Sequence, residues 1–361
     1  MTNHPHDALF KASLTPEAAR ALCRAVLPPE VAQAFEGAVI TRAPSEFVEE
    51  ALRDRSSDVL YRATFGDQEA LIYVLVEHQS TVDPLMAFRV LRYMVRIWSQ
   101  WLDHEEGRPK KLPPILPIVL YHGKQSWNAA QAFEDLIDLP APLASTKHLV
   151  PSFRFVLDDL TQRSDEELRA RHAPPFAAVT WIFFRHGNDT KRGVEVVRAC
   201  GDLIGELAND LPEQLGSLMQ LLSYSLLQDF GSPDELRAEM RRIGGPKAEE
   251  VAVTAGEQLL EQGRREGRLE GERRILLRIL AQIGTVTSDV NARVQAANEA
   301  GLERWAELAR RTRSRMSSRT RPQPCWPWGR HLDPRPLRSR LWEPPGIPCP
   351  QTLVTKPRPR C

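Results

Sequence analysis

The stretch SDVLYRATFGDQEALIYVLVEHQ, residues 57–79, decides how this chain folds. Its first nine residues alternate: Asp58, Leu60, Arg62 and Thr64 fall on one face, and Val59, Tyr61, Ala63 and Phe65 on the other, because successive side chains of a strand point to opposite sides. GDQ (66–68) carries turn chemistry, and EALIYVLVEHQ (69–79) returns as a second strand. The spacing predicts a β-hairpin with a three-residue loop. The return strand ends in Glu77, His78 and Gln79, three polar residues directly after an apolar run.

Around the hairpin, other elements are legible. Asp83 followed by Pro84 opens a helix that runs to about Asp103, with Met86, Val90, Met94, Ile97 and Trp101 at helical spacing. Arg89, Arg92 and Arg96 fall on another face of it. ILPIVLYHG (115–123) and SFRFVLDDL (152–160) read as buried strands. Upstream, residues 6–36 read as helical, with Leu9, Phe10, Leu14, Leu22 and Val26 on the apolar face and Thr15-Pro16 as a helix start. GAVITRAP (37–44) is a short β candidate, and SEFVEEALRDR (45–55) an acidic turn or helix. Helix, three strands, helix and two strands make one α/β domain over residues 1–162.

Residues 163–246 read as helical, with VEVVRACGDLIGELA and LGSLMQLLSYSLLQDF as long apolar-faced segments. A long charged helix follows over 247–283. It holds the repeat EQGR, REGR, LEGE (261–272), whose glycines 263, 267 and 271 share a face. Glu–Arg pairs three and four apart support a helix that each glycine weakens by about 1 kcal/mol. Residues 290–311 form a last amphipathic helix.

At 361 residues the chain is long enough for about two domains. It has no run of 18 apolar residues, so no membrane span is expected. Its first residues, MTNHPHDALFKASL, lack the layout of a secretion signal. Cysteines 23, 200, 325, 349 and 361 make no C-x-x-C spacing. A cytoplasmic protein without a disulfide framework or a cysteine zinc site follows. The net charge of +1 hides an asymmetry. From Arg311 onward there are 12 basic against 2 acidic residues, which leaves 36 basic against 45 acidic over residues 1–310. The tail, 312–361, holds 11 of the 29 prolines and is expected to be disordered. A basic nucleic-acid-binding arm is one reading of it. The stronger is that its composition is what a GC-rich gene gives when read out of frame.

The chemistry sits at the hairpin's open end. Glu77 and Gln79, two apart on a strand, project together, and His78 goes to the other face. Across the turn, position 58 pairs near position 76, give or take one, which brings Asp58 and Glu77 to the same end. Two close carboxylates repel, and one pKa rises. A hard cation, Mg²⁺ or Mn²⁺, relieves that repulsion and leaves coordination positions for phosphate. This is an arrangement for hydrolysing a phosphodiester, with Gln79 placed to orient water or to touch the phosphate. Plainer readings stand beside it. Asp58 suits a strand start, and Glu77 and Gln79 suit a solvated strand end. His6-Asp7 reads first as a helix cap with a loop histidine. Glu46, Glu49 and Glu50 read first as a solvated face, with Glu50 the choice for a third acid. Arg89, Arg92 and Arg96 suit either solvent or a DNA backbone, and YHG (121–123) a strand-to-loop transition bordering the site.

An Asp on one strand, Glu-x-Gln on the next and a helix behind them resemble the PD-(D/E)XK nucleases, with Gln79 at the Lys position. More specifically, the chain resembles the Rpn-type recombination-promoting nucleases, the YhgA-like transposase family. HDALFKASL, RSSDVLYRATF, YVLVEHQSTVDPLMAFRVLRYMVRIWSQWL, LPPILPIVLYHGKQSW and FRFVLDDL carry that resemblance, over about residues 4–311. It implies a restriction-endonuclease-like α/β core with a mixed sheet flanked by helices, and a metal-dependent endonuclease that cuts double-stranded DNA. Asp58 and Glu77 would be its metal ligands, Gln79 its third catalytic position, and a homodimer its working form. A neutral amide cannot stabilise developing negative charge as an ammonium does. The alternative is therefore a non-catalytic DNA- or partner-binding protein on a degenerate nuclease scaffold.

Overall fold

The computed structural model describes residues 5–43, 59–66, 68–77, 82–104, 109–187, 192–209 and 213–317. The chain divides into two compact units, Met1–Gly263 and Arg264–Cys361.

In the first unit, five strands lie side by side in chain order: β1 (Val39–Arg42), β2 (Val59–Phe65), β3 (Gln68–Glu77), β4 (Ile115–Tyr121) and β5 (Val156–Asp159). β1, β2 and β3 are mutually antiparallel, whereas β4 and β5 run parallel to β3. The sheet is therefore mixed, and the helix Met86–His104 links the parallel pair β3 and β4. The hairpin turn is one residue tighter than its spacing predicts. Phe65 pairs with Gln68, which leaves two residues in the loop. Gly66, at φ +62°, supplies the left-handed conformation such a turn needs. Pro117 is tolerated in β4 because β5 pairs only from Ile118 onward. β5 is shorter than predicted: Ser152–Phe155 lie outside it, and Arg154 bridges instead to Ala132.

The alternation read from the sequence sorts the sheet's two faces. Val59, Tyr61, Ala63, Ile72, Ile118 and Leu120 join one apolar cluster, and Leu60, Leu71, Tyr73, Ile115 and Val119 another. With both faces covered, the central strands have no solvent side, which is why β4 is continuously apolar.

The first face carries most of the helices. The predicted helical stretch 6–36 resolves into Pro5–Ser13, Pro16–Val26 and Pro29–Ala34, each opening on a proline that cannot continue the turn before it. Thr15 caps the second of these by accepting from Ala18 N. The Tyr61 hydroxyl donates to Leu14 O and ties β2 to the cap. Pro175–His186 is apolar on almost every side and buried along most of its length. The segment 194–208 breaks into Gly193–Ala199 and Gly201–Asn209. Gly193 is required where it stands, because a Cβ there would lie 2.1 Å from Phe230 Cα. Leu215–Leu227 and the start of Pro233–Ile283 complete the layer, and one cluster runs from Leu9 to Ala255. Pro233–Ile283 is two helices joined at Gly245, at φ +70°, before Pro246.

In the second unit, the end of that helix packs with Ser288–Ala296 and Glu299–Ser317 around Leu276, Val294, Leu302 and Ala309. The predicted single helix over 290–311 is thus two. Asn298 starts the second by accepting from Gly301 N at 2.9 Å, and it runs to Ser317. Residues 318–361, most of the predicted tail, lie outside the described residues. Among the described residues, no helix is long and apolar enough to cross a membrane.

Candidate functional site

Because β2 and β3 are antiparallel, the start of β2 and the end of β3 lie at one edge of the sheet. The register Val59↔Val74 fixes that edge. β4 and β5 also end there, since they run parallel to β3. Glu77, the last residue of β3, is the register partner of Tyr121, and Tyr121 is that of Asp159. These three positions form a row at the carboxyl ends of three parallel strands, the edge where open α/β sheets hold ligands. Asp58, one residue before β2, and Gln79, two beyond β3, lie outside the described residues. So do His78, Glu46, Glu49 and Glu50. Of the sequence-predicted site, the described structure fixes the backbone of Glu77.

The described residues around that edge are firmly held. Tyr121 is buried edge-on against Trp127, with ring centroids 5.2 Å apart. His122 is buried and stacked on Phe184 at 4.3 Å. The YHG segment read as a strand-to-loop transition therefore packs both its rings into the protein beside the end of β3.

Two acids at this edge were not assigned a role from the sequence. Asp158 is fully buried and accepts both guanidinium arms of Arg171, at 2.7 and 2.8 Å. That guanidinium lies 5.1 Å from the centre of the Trp181 ring. Asp159 accepts from Trp127 N at 3.0 Å, and from the backbone and hydroxyl of Thr161 at 3.0 and 2.7 Å. Both carboxylates are engaged in holding the loops behind the strand ends. The signal in the sequence is the pair of aspartates closing the apolar run FRFVLDD, where unpaired burial would be costly.

The arginine stripe does not survive as three solvent-facing cations. Arg89 is buried and paired with Asp83 at 3.1 Å, while Asp83 also accepts from Leu85 N at 2.9 Å and so caps the turn before the helix. Arg92 is exposed and Arg96 half-buried, with their guanidinium carbons 5.4 and 5.8 Å from the centre of the Tyr93 ring. Asp7 is buried within the first turn of Pro5–Ser13, so it does not cap that helix from outside. Trp98 donates to Pro113 O at 2.9 Å and Trp101 is half-buried, both against the core. Cys23 and Cys200 are buried free thiols whose pKa values burial pushes up to about 12, which leaves them unreactive at neutral pH. Among the described residues, no group of three or more His, Cys, Asp or Glu is arranged to hold a metal ion.

This sheet and its edge can now be set beside known proteins. The profile of the family described as "Putative transposase, YhgA-like" matches residues 4–229, and the chain belongs to that family. It is similar to "Recombination-promoting nuclease RpnD" of Escherichia coli O157:H7, with 33% identity over 46% of this chain and 63% of that protein. Against "Inactive recombination-promoting nuclease-like protein RpnE" of Escherichia coli strain K12 the identity is 29%, over 73% of this chain and 84% of the relative. "Recombination-promoting nuclease RpnA" of the same strain is 37% identical over 34% of this chain and 41% of its own length. The match to RpnD thus covers less than two thirds of that relative's length. No solved structure matches the chain.

Proposed function

We propose that this chain is a divalent-metal-dependent endonuclease of the PD-(D/E)XK type that hydrolyses double-stranded DNA in the cytoplasm, in the service of recombination. The observation that carries the proposal is the β2–β3 register. With Val59 opposite Val74, the start of β2 and the end of β3, where Glu77 stands, share one strand edge, which supports the pairing of two carboxylates from these strands. The order helix, three antiparallel strands, helix, parallel strand supports the nuclease core, and relatives named nucleases support the reaction class.

In this reading Asp58 and Glu77 hold the ion. Their oxygen donors suit a hard cation, and the neighbouring Asp158 and Asp159 are engaged elsewhere. A Mg²⁺ or Mn²⁺ ion there would polarise the scissile phosphoryl group and acidify an attacking water. Gln79 orients that water or the phosphate through its amide. Arg92 and Arg96 contact the duplex backbone, which positions the protein without reading sequence.

A nicking assay on supercoiled plasmid tests the proposal, with Mg²⁺, Mn²⁺ or EDTA and the full chain beside Asp58→Ala and Glu77→Ala. Metal-dependent nicking that both substitutions abolish, in folded protein, is the expected result. Wild-type protein that nicks no faster than either variant would overturn it. That outcome favours a second reading, a non-catalytic DNA- or partner-binding protein. The amide at position 79 and the 84% coverage of a relative named inactive support it. In that case DNA affinity persists in EDTA and falls with salt according to the number of phosphate contacts.

A further inference from the structure

The helix that opens the second unit is the part of Pro233–Ile283 from Arg264 onward, and its two sides are unlike. Leu269, Leu276, Leu280 and Ile283 face the core of that unit. On the opposite side, at alternate steps of four and three residues, stand Arg264, Arg268, Gly271, Ile275, Arg278 and Gln282. All of these but Gly271 are exposed, Ile275 to 59%. At 1.5 Å per residue the row is about 27 Å long.

Its arginines differ from the others of the same helix. Arg237 and Arg241 pair with Glu249, and Arg242 with Glu239. Beside the row, Arg274 pairs with Glu270 and Arg273 donates to Ala297 O. Among the described residues, Arg264, Arg268 and Arg278 form no ion pair. Glu261 and Glu272, a turn from Arg264 and Arg268, stand on one flank, and no acid stands in the row itself. Over residues 1–310 acids outnumber bases, 45 to 36. An acid-free row of three cations in such a body makes a local positive field.

We infer that this face lies against the phosphate backbone of duplex DNA, as a nucleic-acid contact separate from the sheet. Charge complementarity selects an anionic polymer, and shape selects the duplex. A helix about 10–12 Å across, covered on its inner side alone, fits a major groove about 12 Å wide. Arg264 and Arg268 stand one turn apart, and Arg278 reaches phosphates about 15 Å further along. Ile275, between them, offers apolar contact to thymine methyl groups. The inference needs no metal and none of Asp58, Glu77 and Gln79, so it stands apart from the nuclease reading.

Fluorescence anisotropy with a short labelled duplex tests it, on the full chain in EDTA. The variant Arg264→Gln, Arg268→Gln, Arg278→Gln should bind about tenfold more weakly or worse, and the slope of log affinity against log salt should fall by about 2–3. Replacing all three by Lys should keep most of the affinity. The control Arg293→Gln, Arg304→Gln, Arg310→Gln removes the same charge from other exposed positions of the unit and should change little. The basic tail is present in every variant, so its contribution cancels in the comparison. Should the triple Gln variant lose helical circular dichroism, Arg278→Glu alone should still weaken binding. Equal affinity of wild type and the row variant would overturn the inference, as would an equal loss in the control. So would competition by polyglutamate as strong as by unlabelled duplex, which would point to an acidic protein surface instead.

Discussion

On one face of the sheet, Val59, Tyr61 and Ile72 lie under a layer of helices that closes over itself, with Pro175–His186 buried inside it. On the other, Leu60, Leu71 and Tyr73 pack with one long helix and with Phe133 and Phe155 from the connection between β4 and β5, and that helix carries exposed apolar residues on its far side. The same strands, with the same alternation, serve both. The thick face spends its apolar residues on internal packing and has to manage the polar groups trapped there. The thin face is covered by one helical stripe and the β4–β5 connection, and the helix keeps a row of exposed apolar residues outside it. Exposed apolar side chains in a row are where association is to be sought; buried ion pairs are where the fold is brittle.

Four changes on the thick face, and one on the thin face, test that contrast. Asp158→Ala is expected to have the largest effect. It strands the buried Arg171 guanidinium, and breaking such a pair costs about 3–5 kcal/mol. Urea unfolding should show this, and a loss under about 1 kcal/mol would mean that water takes over as the partner of the guanidinium. Gly193→Ala should cost about 1–3 kcal/mol, since its methyl would press on the Phe230 backbone and not on a movable side chain. Thr15→Ala removes a helix cap and should cost about 1 kcal/mol; Thr15→Ser should recover most of it.

Acid should act through Glu239. Hydrogen bonds from Arg198, and then Arg242, hold its pKa below the ordinary 4.5. A carboxyl with a depressed folded pKa stabilises fully above its unfolded value, and that contribution is lost as pH falls through the folded one. Thermal melting followed from pH 6 downward should therefore lose stability below about pH 4.5, and Glu239→Gln should flatten that slope. The smallest stability effect is expected on the thin face. Phe88→Ser, at an exposed position, should stay within about 0.5 kcal/mol in a monomeric background. A large loss there would mean that the row is covered within the chain itself.

Much of the fold is legible because it follows local periodicity. The alternation of Val59 to Phe65, the apolar run of β4 and the helix on Met86, Val90, Met94 and Ile97 each follow from the repeat of the element. The hairpin turn is one residue shorter than its spacing suggests, because GDQ alone does not show that Gln68 already pairs. Helical spacing puts Arg89, Arg92 and Arg96 on one surface because it is blind to the Asp83 carboxylate that takes Arg89 out of it. At the candidate site, the close of β3 at Glu77 was legible, while Asp58 and Gln79 lie outside the described residues. The engagement of Asp158 and Asp159 was not, because their partners Arg171, Trp127 and Thr161 come from the loops and turns around them.

The kinds of element, the faces of the strands and the spacing of Asp58, Glu77 and Gln79 can be read along the chain, because each depends on residues a few positions apart. The order of strands in the sheet, the row Glu77, Tyr121, Asp159, the burial of Asp158 with Arg171 and the helix stripe left exposed come from long-range packing. Those depend on what packs against what, and a helix apolar on two sides does not announce which side the sheet will take.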